Sequence, residues 1–400
     1  MKVCMLSYSY YEGDARIIQY ASALAERGDE VDVICLKHPG DSPRDVLDSV
    51  NVFRIQERTK DERGLLTYLC RILRFLVVSA AVLTKRHLRR RYSVIHVHSV
   101  PDFLVFAALV PTLLGTPVIL DIHDVLPELY ASKFHASCKS LLFRSLVLVE
   151  RISVAFANHV IVANHLWCER VAARSGQAGK CSAIRNYPAP KLFHPRPRSQ
   201  NGRFVITYPG SLNWHQGVDV AIHAFAKIKD EIPDAEFHIY GEGPAKPSLM
   251  DLSRSLGLER RVIFHSALPT AEIVRVMAAS DLAIEPKRVS SEFGNEALSM
   301  KILEFMSVGV PVIVSRTKTH GYYYDDSVVK YYNEDSVDEL AADIVLLRRN
   351  ASLRKQLVAN GLRYAQSNNW NIQKSSYLDL VDGFFVSNSR PPRLRANDCS

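Results

Sequence analysis

Cysteine is sparse and unpaired along these 400 residues: there are seven, scattered, with no CxxC among them. That spacing excludes a disulfide scaffold and the common zinc modules. Cys4, Cys35, Cys70, Cys138, Cys168, Cys181 and Cys399 read mostly as small apolar fillers suited to a reducing compartment. Low-complexity tracts are missing too. With 47% hydrophobic and 23% charged residues, the chain is too apolar for disorder and long enough to bury more than one core. Basic residues exceed acidic ones only modestly, 50 against 42, for a formal charge of +8. Such a surplus suits phosphorylated ligands or an anionic membrane face. No recognition module or dispersed aromatic platform accompanies the basic run at 86–91, so nucleic acid is not an expected partner. The chain opens directly on a strand pattern without an apolar leader region and cleavage site, and a cytoplasmic location is expected.

Long apolar runs are also scarce. Residues 65–82 form the one membrane-like stretch, and Arg71 and Arg74 interrupt it. A spanning helix would have to bury both charges. The basic run that follows, 85–91, leaves two readings: a helix lying on the cytoplasmic face of a membrane, or a domain helix with one apolar face and a basic end.

What is present is alternation. Six strand-like runs between Val3 and Ala163 are separated by helical patterns, and a second such series runs from Phe204 to Tyr331. Strands joined through helices need crossover connections, which give mostly parallel sheets covered on both faces. The fold class is therefore α/β, with two doubly wound, Rossmann-like domains facing each other across a cleft. The expected layout is an N-terminal acceptor-side domain at 1–187, a Pro-rich linker at 188–202 and a C-terminal domain at 203–368. A helix at 369–385 crosses back, and 386–400 is a flexible tail.

The densest chemistry lies at 284–306, where a strand ending near Glu285 is followed by a glycine-containing loop and a helix starting around Ser299. Ser299 suits the capping position. Lys301 falls in the first helical turn, where the helix dipole disfavours a cation; a bound anion would reverse that cost and use the free amides as well. Its expected partner is thus a phosphate and not the core. Glu304, further along the helix, can accept two hydrogen bonds from a vicinal diol such as a ribose. Elsewhere, Asp121, His123 and Asp124 follow an apolar strand. Their spacing matches neither HExxH nor a hydrolase triad, for no nucleophile elbow accompanies them. The loop at 9–16 is not a GxGxxG fingerprint, although Gly13 can relax its turn.

The run Glu296-Ala-Leu-Ser-Met-Lys-Ile-Leu-Glu304, followed by Gly309-Val-Pro-Val312, resembles the double-Glu signature of retaining GT-B glycosyltransferases of family 4. The form with Asn295 and Lys301 resembles a subgroup found in polysaccharide assembly. The resemblance implies that Glu304 binds the nucleotide ribose, Glu296 contacts the transferred sugar, and amides near Leu298 and Ser299 hold the diphosphate. It places Gly210, Gly241 and Gly243 in glycine turns near the donor and His265 near the base. Many relatives carry a basic residue where Gln216 stands; Lys287, Arg288 and Lys301 are the available replacements, with Lys301 preferred. In the first domain it makes His123 the active-site histidine, contacting the transferred sugar or acceptor, has Asp124 orient that histidine or the acceptor, and sets Gly13 and Arg16 on the acceptor side.

The expected reaction is retaining transfer of a sugar from a nucleotide-diphosphate donor to a hydroxyl of a glycan or polyprenyl-linked glycan, in surface-polysaccharide biosynthesis. UDP-sugar is the favoured donor and GDP-sugar the alternative. No cofactor and no metal are called for. Two rivals share the architecture: a nucleotide-sugar epimerase, and a non-catalytic nucleotide-sugar or polysaccharide-binding protein.

Overall fold

A computed structural model describes residues 1–58, 65–134, 137, 139–197, 202–333 and 335–386. Cys138, Cys399, part of the 188–202 linker and the 387–400 tail lie outside the described residues. The described residues divide into two compact units. One falls within Met1–Ala131, Ala136–Arg185 and Gln373–Ser400, the other within Ser132–His135 and Asn186–Ile372.

The first unit is built on eight strands: β1 (Lys2–Ser7), β2 (Glu30–Lys37), β3 (Arg44–Leu47), β4 (Val50–Glu57), β5 (Val94–His98), β6 (Val118–Ile122), β7 (His159–Val162) and β8 (Cys181–Ala183). They lie in the order β3-β4-β2-β1-β5-β6-β7-β8, all parallel except the antiparallel β3–β4 edge pair. β5 and β6 are buried at every position, as continuous apolar strands between two helical layers must be. Six helices serve this sheet: α1 (Ala15–Glu26), α2 (Leu65–Arg90), α3 (Leu109–Leu113), α4 (Leu126–Phe134), α5 (Leu141–Phe156) and α6 (His165–Ser175). A single helix over 101–114 is not found. A 3-10 segment, Asp102–Ala108, precedes the short α3 instead, because Pro111 has no N–H for an α-helical bond to Ala107.

α2 is longer than the apolar run within it and is the one helix among the described residues long and apolar enough to cross a membrane. Its buried side chains, Ile72, Phe75, Ser79, Leu83 and His87, recur at three- and four-residue steps, while Leu69, Leu73, Val77 and Leu88 are exposed. One face therefore belongs to the domain and the other is open. Arg86 is not part of a solvated basic patch: it pairs with Asp32 at 2.5 Å and covers the Phe53 ring.

The second unit carries six parallel strands: β9 (Phe204–Pro209), β10 (Ala235–Tyr240), β11 (Val262–His265), β12 (Leu282–Glu285), β13 (Val312–Ser315) and β14 (Lys330–Tyr332), ordered β11-β10-β9-β12-β13-β14. Strand order reverses beside β9, so the carboxyl ends of β9 and β12 flank the crevice where doubly wound sheets bind ligands. Its helices are α7 (Val218–Ile228), α8 (Lys246–Ser255), α9 (Thr270–Ala279), α10 (Glu292–Glu296), α11 (Met300–Ser307), α12 (Lys318–Tyr323), α13 (Val337–Arg349) and α14 (Ala351–Ser367). A last helix, α15 (Trp370–Val386), belongs to the first unit from Gln373 onward. There Tyr377 and Val381 are fully buried, and Asp382 and Lys374 pair with Arg27 and Glu26 at 2.8 and 3.3 Å.

Gly217 ends the loop after β9 with φ +66°, and a Cβ there would lie 1.9 Å from the Pro286 carbonyl oxygen. Gly257 has φ +64° but open space around it. Gly257→Ala should therefore cost only the ~1 kcal/mol of a left-handed alanine. Gly217→Ala must also displace backbone and should cost at least ~2 kcal/mol. Chemical denaturation of both variants checks the difference.

Candidate functional site

The loops leaving β9, β10, β11 and β12 converge with the start of α11 around a cavity of about 610 Å³. Its wall is divided by chemistry. Ala267, Leu268, Ile273 and Met277 make one part apolar; Lys287, Lys301, Gln216, Ser299 and Glu304 make another polar. Close approach of two loops forms the floor: Gly241, at φ +156°, stands where a Cβ would be 1.8 Å from the Gly210 carbonyl oxygen. Gly210 lines the cavity, and Gly243 packs against Leu212 outside it.

Lys301 is the centre of the polar wall. Its Nζ lies 3.1 Å from Glu285 Oε2, donates to Gln216 Oε1 at 3.4 Å and sits 4.7 Å above the Tyr208 ring. Burial works against the ammonium, yet Glu285 and then Tyr208 outweigh it and hold the lysine above its usual range. Burial likewise opposes the Glu285 carboxylate, but Lys301 and Lys287 keep it below the ordinary carboxylate value. The expectation that Lys301 is partnered only by a ligand is therefore corrected: a buried carboxylate at the end of β12 already pairs with it. Gln216 fits the same logic. A cation at that position would face the Lys301 ammonium, whereas the amide oxygen accepts from it and from Tyr208 Oη at 3.3 Å.

Lys287 is buried, donates to the Ala297 carbonyl at 2.8 Å and lines the same cavity wall. Arg288 is not. It pairs with Asp219, lies 5.0 Å over the Trp214 ring and does not line the cavity. Ser299 holds the residue position before α11, but its hydroxyl does not cap the helix. It is buried, without a hydrogen-bond partner, on the cavity wall. Leu298 lines the wall beside it.

Glu304 faces the cavity from the second turn of α11. Burial, with Lys301 opposing and Glu285 adding, lifts its carboxyl from 4.5 to about 7. Glu296 stands apart from this wall: it is buried at the end of α10 with Lys318 Nζ 3.6 Å away. His265 stands behind the wall and not on it, stacked 4.2 Å from Tyr240, which does line the cavity, and bonded to His238 at 3.0 Å.

In the first unit, Asp121 on β6 is a fully buried hub. Arg16 Nε and Nη2 reach its two oxygens at 2.7 Å each, and His98 Nδ1 and His123 Nε2 lie 3.1 and 3.2 Å from Oδ2. Burial opposes the charge, but Arg16 and then His123 hold this carboxyl well below the usual range. Two expectations change here. Arg16 is buried under the loop and spent on Asp121, because a guanidinium so enclosed needs a carboxylate. The carboxylate touching His123 is Asp121, two residues before it, and not Asp124. Gly13 is exposed, with neither a left-handed backbone nor crowding to require glycine. His96, His98 and Asp121 are the one group among the described residues with donor atoms spaced for a metal, and Arg16 already occupies both oxygens of that carboxylate.

Residues 14–187 match the model of the glycosyl transferase 4-like domain, and residues 191–364 match that of glycosyl transferases group 1. One subunit of the human phosphatidylinositol N-acetylglucosaminyltransferase is 23% identical over 78% of this chain, a match spanning 62% of the human protein. Among solved structures, sucrose-phosphate synthase from Thermosynechococcus elongatus superimposes with a TM-score of 0.76 at 18% identity, covering 97% of this chain and 100% of that one. The Anabaena protein Alr3699/HepE, solved with UDP and glucose, gives 0.72 at 17% identity, covering 95% and 98%. Two doubly wound parallel sheets and family matches over both halves converge on one assignment: the chain belongs to the family 4 glycosyltransferases of the GT-B fold.

Proposed function

We propose that this chain transfers a sugar, with retention of anomeric configuration, from a nucleoside-diphosphate donor to a hydroxyl of a glycan or lipid-linked glycan in surface-polysaccharide biosynthesis. The observation that carries the reading is the one cavity at the β9/β12 crevice that joins an apolar wall, the buried Lys287, the partly exposed Lys301 and the Glu304 carboxyl. A planar base, a vicinal diol and a diphosphate need those three environments in one place. UDP is the favoured nucleotide, supported by the UDP complex of the Anabaena neighbour.

In this reading Glu304 accepts from the ribose hydroxyls, and the Leu298–Ser299 amides with Lys301 and Lys287 receive the diphosphate. Glu296 and His123 meet the transferred sugar or acceptor. The leaving diphosphate gains charge as its bond to the sugar breaks, so fixed cations beside it favour the transition state over the bound donor. The departing phosphate oxygen takes the acceptor proton on the same face of the sugar. The neutralising charge is supplied by side chains and amides, which makes metal-independent donor binding part of the proposal.

The acceptor is placed at the cytoplasmic face of a membrane. Two exposed faces of the first unit support this. One is the outer side of α2, with Leu69, Leu73, Val77 and Leu88; the other is α5, where Leu141, Leu148 and Ile152 form a stripe beside Arg144 and Arg151. Apolar stripes edged by arginine suit a lipid interface.

Lys301→Ala should abolish UDP release from UDP-glucose and also destabilise the fold by about 3 kcal/mol, since it strands Glu285. The double variant Glu285→Gln with Lys301→Met should regain stability yet stay inactive. Wild-type turnover in the double variant would remove the phosphate role.

Ribose hydroxyls favour an ionised Glu304, so UDP-glucose should bind more tightly as pH rises from 6 to 8, releasing a proton; calorimetry in buffers of different ionisation heat reads this directly. Without ligand the sign is opposite. A carboxyl raised to about 7 in the fold contributes stability below 4.5 that is lost as pH climbs past 7. Glu304→Gln should therefore flatten the binding profile and make the free protein more stable than wild type at pH 8.

Sedimentation with liposomes should rise with anionic lipid and fall with salt. Neutralising Lys85, Arg89 and Arg91, exposed and without an acidic partner among the described residues, should weaken it. A wild-type protein that stays in the supernatant at every lipid composition would end the membrane reading.

A further inference from the structure

Tyr377 is carried by α15, far along the chain from the residues it touches. It is fully buried, its ring lies 4.1 Å from that of Tyr20, and its hydroxyl is 3.0 Å from His96 Nδ1. The His96 ring lies 4.1 Å from that of His98, tilted 32° to it, and its Nε2 stands 3.8 Å from Asp121 Oδ2, too far for a hydrogen bond. A buried tyrosine hydroxyl among aromatic rings needs only one partner, yet this one ends on the group that surrounds His123.

The protons in that group can be assigned by elimination. Asp121 presents only acceptors, and Arg16 only donors. His98 Nδ1 and His123 Nε2 both lie within hydrogen-bonding distance of Asp121 Oδ2 and 3.2 Å from one another. A lone pair turned toward a buried carboxylate is repelled, so each of these nitrogens carries its proton. His123 is then left with Nδ1 as its basic nitrogen. For His96 the choice rests with Tyr377. When the hydroxyl donates to Nδ1, the ring proton must be on Nε2, 3.8 Å from Asp121 Oδ2; without the hydroxyl only that longer-range attraction selects the tautomer, and the form protonated on Nδ1 becomes accessible. Burial keeps the His96 and His98 rings neutral, so tautomer and not charge is what the contact controls.

We infer that Tyr377 is a positioning residue for the sugar-transfer reaction: by engaging His96 Nδ1 it sets the His96 proton on Nε2, the edge turned to Asp121, the carboxylate that touches His123, and so helps hold His123 with Nδ1 turned to a substrate hydroxyl. The inference rests on the reading of His123 as the residue that meets sugar or acceptor. It adds α15 to the machinery, a helix that carries none of the residues placed at the donor or the sugar.

The test is nitrogen NMR of the full chain labelled at histidine, for wild type and Tyr377→Phe, together with UDP release from UDP-glucose. The wild type should show His96 protonated on Nε2 and His123 on Nε2. Phenylalanine fills the same space against Tyr20, so the variant should keep its melting temperature while the His96 and His123 nitrogen signals move. Its kcat should fall roughly tenfold, the lower end of what losing an outer partner of a functional histidine costs, with KM for UDP-glucose unchanged. A merely structural tyrosine would lower the melting temperature and leave tautomers and kcat alone. His96 protonated on Nδ1 in the wild type overturns the inference without need of any variant, as does a folded Tyr377→Phe with unmoved signals. His123→Ala separates the two levels. Wild-type turnover in that variant removes the role of His123 itself, whereas an inactive His123→Ala beside a fully active Tyr377→Phe removes only Tyr377.

Discussion

The contact between Glu285 and Lys301 sets the terms for the crevice of the second unit. A lysine in the first turn of a helix opposes the helix dipole, and a glutamate with 1% exposure pays for its lost hydration unless a cation is close. Each makes the other tenable. The pair also fixes the ammonium at one point of the cavity wall, with Gln216 and Tyr208 on its remaining sides. An ammonium is thus fixed on the cavity wall where α11 begins, before any ligand arrives.

The same device recurs in the first unit. Asp121 is on β6 near its carboxyl end, as Glu285 is on β12, and Arg16 is the second residue of α1, as Lys301 is the second of α11. In both units a buried strand-end carboxylate meets a cation from a helix start. The outcomes differ because of geometry at the cation. The planar guanidinium takes both oxygens of Asp121 and is spent there, while the ammonium takes one oxygen of Glu285 and keeps an edge on the cavity. One pair anchors histidines; the other presents charge.

Much of the architecture was legible because continuous apolar strands and Gly-ended helices leave strong patterns. The strand expected to end near Glu285 ends there, and the helix expected to start around Ser299 starts at Met300. Polar helices were harder: α6 packs through Trp167 and Val171, too thin a stripe to register as a period, although the Asn164 cap and left-handed Gly176 mark its ends. In the site, residue types and spacing pointed to Lys301, Glu304 and the neighbouring backbone. The partners did not show. Glu285 is 16 positions from Lys301, and Asp121 is 105 from Arg16; pairings made by sheet topology leave no local trace. Arg288 and Arg16 were assigned to ligands because a cation near a loop looks available until its carboxylate is seen.

The division of the first unit between the two ends of the chain has a consequence for biosynthesis. Residues 186–372 are contiguous and carry the whole six-stranded sheet, so the second unit can complete itself as it leaves the ribosome. The first unit begins earlier and finishes later. Its eight strands are all made by residue 183, yet the faces of Tyr20 and His96 stay uncovered until α15 is synthesised. A nascent chain therefore passes through a stage with its second unit folded and its first still open along one seam, closed last by a helix made after everything it covers.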